Sequence, residues 1–362
     1  MVGNIIFQER FNHMRNKILT FLLVLGCNLG FAQTNKDNES RIGAADSINV
    51  FYKALFKSLK ADYLHRKSID WKSLEDETYR NIQSYNNFKA SLNEIRNLFD
   101  KIKATHCIVY NGDDKYTVTR KVISKDLYSS QWKSKYDSKP RFEVKVIDGK
   151  YGYILMPGMS FSDNSAEHMS QIAQPMYDEI VKIKAGNNIK GWIIDLRFNT
   201  GGNSAPMLLA LYDFLGNTDI WGELNENKKL VRKYKLTNGG YIQKSQTIAS
   251  IKPNGKLLDK ERVALITGIF TGSSGEVTAL AFKGRQNTIF IGENTAGYTT
   301  GNVTWPLPFN SLIALTTGYY SDRDGNYYPF IYPDVVVSKQ DNFQDLMADA
   351  NVQKAIEFIK GM

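Results

Sequence analysis

The sequence predicts an α/β fold in which buried strands alternate with helices. Two strand-turn-helix units and one hairpin carry the expectation. Gly191 to Arg197 reads as a strand buried on both faces, ends in Asn199-Thr200-Gly201-Gly202-Asn203, and gives way to helical spacing from Pro206 to Leu215. Val263, Ala264, Leu265, Ile266, Ile269 and Phe270 form a second apolar run. It breaks at Thr271-Gly272-Ser273-Ser274-Gly275-Glu276 and opens a helix through Val277, Leu280 and Ala281. Phe142, Val144 and Val146 alternate before Asp148-Gly149 turns the chain into a returning strand, Tyr151 to Met156.

In chain order, residues 1–32 read as a secretory signal. Arg15 and Lys17 make a basic start, Ile18 to Phe31 an apolar run, and Gly30-Phe31-Ala32 a small-residue cleavage site before Gln33. The run is too short for a membrane span, so the expected product is exported, periplasmic or extracellular. Lipid attachment at Cys27 ranks second, because Leu25 is bulky for such a site. Residues 33–45 are expected to form a flexible start. Residues 46–106 carry three amphipathic patterns and read as a helical subdomain, whose third helix ends near Ala104-Thr105-His106. Within 107–150, a connecting region, Asn111-Gly112 signals a hairpin. Residues 151–362 hold the main core: a helix from about Ala166 to Ala185, the two units above, and strands at 288–291, 312–316 and 335–337. Residues 225–260 are polar and turn-rich and read as a long surface excursion, with a hairpin over the site as one form.

At 362 residues, 42% hydrophobic and 12% aromatic, the chain has ordinary globular material for a large core. Its formal charge of +9 owes part to the basic stretch from Lys115 to Lys150. No nucleic-acid motif accompanies that stretch, so it reads as a solvated region. Two cysteines, Cys27 and Cys107, leave one thiol after cleavage and no internal disulfide. Four scattered histidines give no metal-ligand spacing, so neither metal nor cofactor is expected.

A serine at a strand-to-helix junction is either a helix cap or a nucleophile beside unpaired N–H groups. The Gly201-Gly202 turn presents unscreened backbone in the same way. A phosphate cradle is disfavoured, since neither the lysine-bearing phosphate loop nor the dinucleotide fingerprint is present.

Four runs now occur in order: Asp195-Leu196-Arg197-Phe198-Asn199-Thr200-Gly201-Gly202, Thr271 to Glu276, Ile291-Gly292-Glu293-Asn294-Thr295-Ala296-Gly297, and Tyr332-Pro333-Asp334. Together, over about Tyr151 to Val337, they resemble the tail-specific, or C-terminal processing, serine peptidases, a family that includes tricorn protease and the interphotoreceptor retinoid-binding protein. The resemblance implies a ClpP/crotonase-like core of ββα units acting on a peptide or unfolded protein. It implies Ser273 as nucleophile and an oxyanion hole from Gly201, Gly202 and the Ser274 N–H. The processing branch has a lysine where this chain has Tyr298, and a glutamine where it has Asn302. The chain is therefore closer to the tricorn-like branch, which implies His106 as base, following Thr105, with activity rising through an apparent pKa of roughly 6 to 7. The nearest acid for a third member is Asp324, and Thr105 is the alternative support for the histidine. The interval from Cys107 to Tyr151 is too short for a PDZ module. A rival reading is a catalytically silent member that binds a hydrophobic molecule or peptide.

Overall fold

The computed structural model describes residues 43–119 and 124–361. The expected signal, Cys27 and His13 lie outside them. Four helices come first. In α1 (Ala44–Asp62), Phe51, Leu55, Phe56 and Leu59 fall on one stripe and are buried. Asp70 and Asn87 cap α2 (Trp71–Ile82) and α3 (Phe88–Ser91) by accepting from Ser73 N–H and Ala90 N–H. α4 (Glu94–Lys101) follows as the expected third helix, while the second expected pattern, Tyr79 to Phe88, is split between α2 and α3.

The hairpin of β1 (Ile108–Asn111) and β2 (Asp114–Tyr116) turns through Gly112 at φ +57°. After α5 (Ser130–Asp137) come β3 (Glu143–Ile147), β4 (Tyr151–Leu155), α6 (Ala166–Ala185), β5 (Gly191–Asp195), α7 (Ser204–Ala210), α8 (Tyr212–Leu215) and β6 (Asp219–Leu224). Then follow β7 (Leu230–Thr237), β8 (Gly240–Gln243), β9 (Gln246–Ser250), β10 (Val263–Thr267) and α9 (Ser274–Phe282). The chain ends through β11 (Thr288–Gly292), β12 (Thr300–Leu307), β13 (Ser311–Asp322), β14 (Val335–Val336) and α10 (Ala350–Lys360).

The strands make two sheets. One runs β14-β11-β10-β5-β4-β3, parallel except for β3; the other runs β2-β1-β13-β6-β7-β8-β9, with β12 on the remaining side of β13. Alternation along the central strands splits their side chains between two cores. Trp192, Ile194, Val263 and Leu265 join α6, α7 and α9 in a layer between the sheets, whereas Ile193, Ala264 and Ile266 pack under α10. The helices α1 to α4 cover the outer face of the second sheet, against Val109, Ile313 and Leu315.

The 225–260 stretch is a correction. It forms β7, β8 and β9, not an excursion, and β9 packs against α6 rather than over the site. Tyr234 and Leu236 alternate inward in β7, and Asn238-Gly239, both at positive φ, turns the chain into β8. Lysines on the outward positions hide the period-two signal. The strand at Val263 also stops at Thr267, leaving Phe270 free to stack on Trp132 of α5, with ring centroids 4.2 Å apart.

Candidate active site

The first component is a glycine turn at the end of β5. Asp195-Leu196-Arg197 anchors it from beneath, because the buried Arg197 guanidinium pairs with Asp195, Asp341 and Asp349 at 2.6, 2.7 and 2.9 Å. Asn199 then laces two loops together. Its carbonyl accepts from Gly272 N–H at 2.9 Å and its side-chain oxygen from Gly201 N–H at 3.2 Å. Gly201 and Gly202 sit at φ +109° and +112°, and a Cβ on Gly202 would lie 1.9 Å from the Met159 carbonyl oxygen. Only glycine fits there.

The second component is the elbow after β10. Ser273 holds φ +53° and ψ −115°, a disfavoured conformation for a residue with a side chain, and is half-buried where α9 begins. The Ser274 hydroxyl donates to Gly202 O at 2.6 Å, so the two loops are tied a second time. Gly201 N–H is already used by Asn199. The N–H groups of Gly202 and Ser274 donate to no group among the described residues, and both belong to loops that flank the Ser273 side chain.

His106 arrives from the other sheet. Its Nε2 lies 3.2 Å from Ser273 Oγ and its Nδ1 lies 2.8 Å from Thr300 Oγ1. In the tautomer carrying its proton on Nδ1, Thr300 accepts that hydrogen and Nε2 turns its lone pair to the serine hydroxyl. Asn302 supports the same residue through its backbone: Nδ2 donates to His106 O at 2.7 Å, while Oδ1 accepts from Thr316 Oγ1 at 2.8 Å. The Tyr298 ring stands 5.1 Å from the imidazole. Burial lowers the His106 pKa to about 4 despite the bond that the ring donates to Thr300, so the ring is neutral at physiological pH. That is below the ordinary imidazole range, and among the described residues no carboxylate faces the ring to offset its desolvation.

Two candidates are not brought to the histidine. Asp324 lies beside Gly284, beyond the C-terminal end of α9, whereas Ser273 is at its N-terminal end, about 13 Å away along the helix. Thr105 is exposed, and its side chain makes no hydrogen bond with His106 among the described residues. Thr300 takes the position both were considered for. It sits 194 residues from His106 and no local pattern marks it. His65 and His168 meet the rings of Tyr319 and Phe161 edge-on. No group of three or more metal-ligating side chains occurs among the described residues, and no described helix is long and apolar enough to cross a membrane.

A serine on a strained strand-to-helix elbow, facing a histidine and free backbone N–H groups, is the equipment of a serine hydrolase. Comparison with known proteins is more specific. The model of Peptidase family S41 matches residues 150–337, just over half of the chain, and the chain belongs to that peptidase family. It is 24% identical over 310 residues to the nisin-resistance protein of Lactococcus lactis subsp. lactis, covering 86% of each. It is 21% identical to a carboxy-terminal-processing protease of Bartonella bacilliformis over 53% of this chain and 40% of that protein. Among solved structures, a lipoprotein from Streptococcus agalactiae superposes with a TM-score of 0.61 at 23% identity, over 87% of this chain and 96% of the other. A peptidase-like structure from Parabacteroides merdae gives 0.56 at 15% identity, over 88% and 97%. At these identities the superpositions establish the fold.

Proposed function

We propose that this chain is an exported serine peptidase, nearest the tricorn-like branch of its family, that cleaves peptide bonds through an acyl-enzyme on Ser273. The observation that carries the reading is the 3.2 Å approach of His106 Nε2 to Ser273 Oγ, with Nδ1 held by Thr300. In this mechanism Ser273 Oγ attacks the scissile carbonyl carbon and His106 Nε2 accepts the hydroxyl proton. The oxyanion forms against the N–H groups of Gly202 and Ser274, which need no reorganisation to receive it. His106 then returns the proton to the departing amine, and water repeats the sequence to release the acyl group.

The 46–106 segment contributes the base and the 151–362 segment the nucleophile, so neither part is active alone. Residues 1–32 supply the argument for export. Likeness to the nisin-resistance protein over most of both chains makes nisin the first peptide to assay, beside unfolded casein.

The test is labelling with a fluorophosphonate followed by peptide mass mapping, run in parallel with cleavage of nisin and casein. The expected result is a single adduct on Ser273 and peptide products from at least one substrate. No adduct and no cleavage, together with saturable uptake of a hydrophobic fluorescent probe, would replace this reading by the silent binding member.

A further inference from the structure

Glu276 is fully buried in the first turn of α9, three residues after the nucleophile. Its Oε2 accepts from Ser273 N–H at 2.9 Å. Its Oε1 accepts from Thr295 Oγ1 at 2.5 Å and from Gly297 N–H at 2.8 Å. Thr295 Oγ1 in turn accepts from Ile331 N–H at 2.9 Å. One carboxylate thus joins the Ser273 elbow, the turn that ends in Tyr298, and the segment leading to Tyr332-Pro333-Asp334.

The Tyr298 N–H also bonds to this carboxylate, and all four immediate partners are donors. An ionised carboxylate receives them with strong charge-assisted bonds, while a protonated one loses the charge and sets a hydrogen among four donors. Ser273 needs the restraint because its positive φ is unfavourable for a residue with a side chain. The bond also commits Ser273 N–H to Glu276, so the oxyanion must be received by Gly202 and Ser274 instead.

We propose that Glu276 is a positioning residue whose ionised carboxylate holds Ser273 and the Gly297-Tyr298 turn in register with His106, so that activity is lost when Glu276 takes up a proton. The proposal deepens the peptidase reading and rests on Ser273 as its nucleophile.

Burial raises the Glu276 pKa to about 7, with the bonds from Thr295, Gly297, Ser273 and Tyr298 opposing the shift. His106 lies near 4, so between pH 5 and 9 the base stays neutral while Glu276 changes charge. The facing titratable groups do not compete. Tyr320 on β13 is itself pushed upward by burial and by the charges of Glu223 and Glu276, and no Lys or Arg ion pair reaches Glu276 among the described residues. For stability the sign is opposite. A carboxyl whose folded pKa exceeds its unfolded value stabilises fully below the unfolded value, and that contribution is lost as pH rises through 7. Ionisation therefore aligns the elbow while loosening the fold.

The test is the pH dependence of kcat/KM from pH 4 to 9 for the full chain and for Glu276→Gln. In the unaltered protein, activity should fall about tenfold per pH unit below an apparent pKa near 7. In Glu276→Gln that limb should vanish and leave one near 4, with kcat at pH 8 reduced by about a hundredfold or more, to the level the unaltered protein reaches near pH 5, and KM little changed. A limb near 7 that persists in Glu276→Gln overturns the proposal. If the variant does not fold, the Glu276 carboxyl carbon resonance of the unaltered protein decides. Titration near 7, with the Ser273 amide less protected at pH 6 than at pH 8 after correction for the intrinsic exchange rate, supports the latch; titration near 4.5 refutes it. That readout needs no turnover, so it separates failure of the latch from failure of the peptidase reading.

Discussion

The half of the site around Ser273 differs from the half around His106 in how each is held. Ser273, Ser274, Gly201, Gly202 and Asn199 sit on two strand ends of one sheet, and short backbone bonds stitch the loops together. Adjacent parallel strands β5 and β10 leave those loops side by side. His106 instead sits at the start of the second sheet and depends on partners nearly 200 residues away on β12, Thr300 and Asn302. Local backbone geometry thus sets the Ser273 elbow and the Gly202 and Ser274 N–H groups beside it. Packing of one sheet against the other brings in His106.

Removing one group from each half gives the largest contrast. Ser273→Ala should abolish acylation, lowering kcat by about five to six orders of magnitude with the fold retained by circular dichroism. His106→Ala should lower it by about three to four orders, because a desolvated imidazole without a carboxylate partner contributes as a proton carrier alone. Equal residual activities would mean that the two halves act as one unit.

Thr300→Val tests what orients the base. Loss of the Nδ1 acceptor frees the tautomer and should lower kcat by roughly tenfold to a hundredfold without altering fluorophosphonate specificity for Ser273. An unchanged kcat would show that Asn302 and the backbone hold the ring unaided. On the nucleophile side, Ser274→Ala keeps the N–H but removes the hydroxyl tie to Gly202 O, and a loss of about tenfold is expected in kcat. The smallest effect belongs to Tyr298→Phe. The ring contact with His106 is kept, so activity should change by no more than about twofold. A large loss there would assign the tyrosine hydroxyl a chemical part.

Legibility followed the same division. Helix α6 was readable to its ends, since apolar spacing and the Ser165 cap are local properties. The two strand-glycine-helix units were readable because buried parallel strands are continuous apolar runs. Strands β7 to β9 were missed: their inward Tyr234, Leu236, Tyr241 and Ala249 alternate with polar residues that look like loop. Asp324 was the nearest acid along the chain, yet it lies at the wrong end of α9. Glu276 stood inside a recognised run, but nothing local told that its carboxylate would receive Thr295 and Gly297 as well as Ser273.

What this sequence determined by itself are the features set by neighbours along the chain. They are the α/β alternation, the glycine turn that no side chain could enter, the serine where a strand yields to a helix, and the absence of a lysine at Tyr298. What only the tertiary structure decided is which distant groups complete them: Thr300 rather than an acid behind His106, Asn302 on its carbonyl, and Gly202 rather than Gly201 with an N–H that has no acceptor among the described residues. The physical reason is range. Dihedral preference and apolar period act over a few residues, whereas the charge state of His106 and Glu276 depends on the desolvation that appears when the sheets and helices close around them.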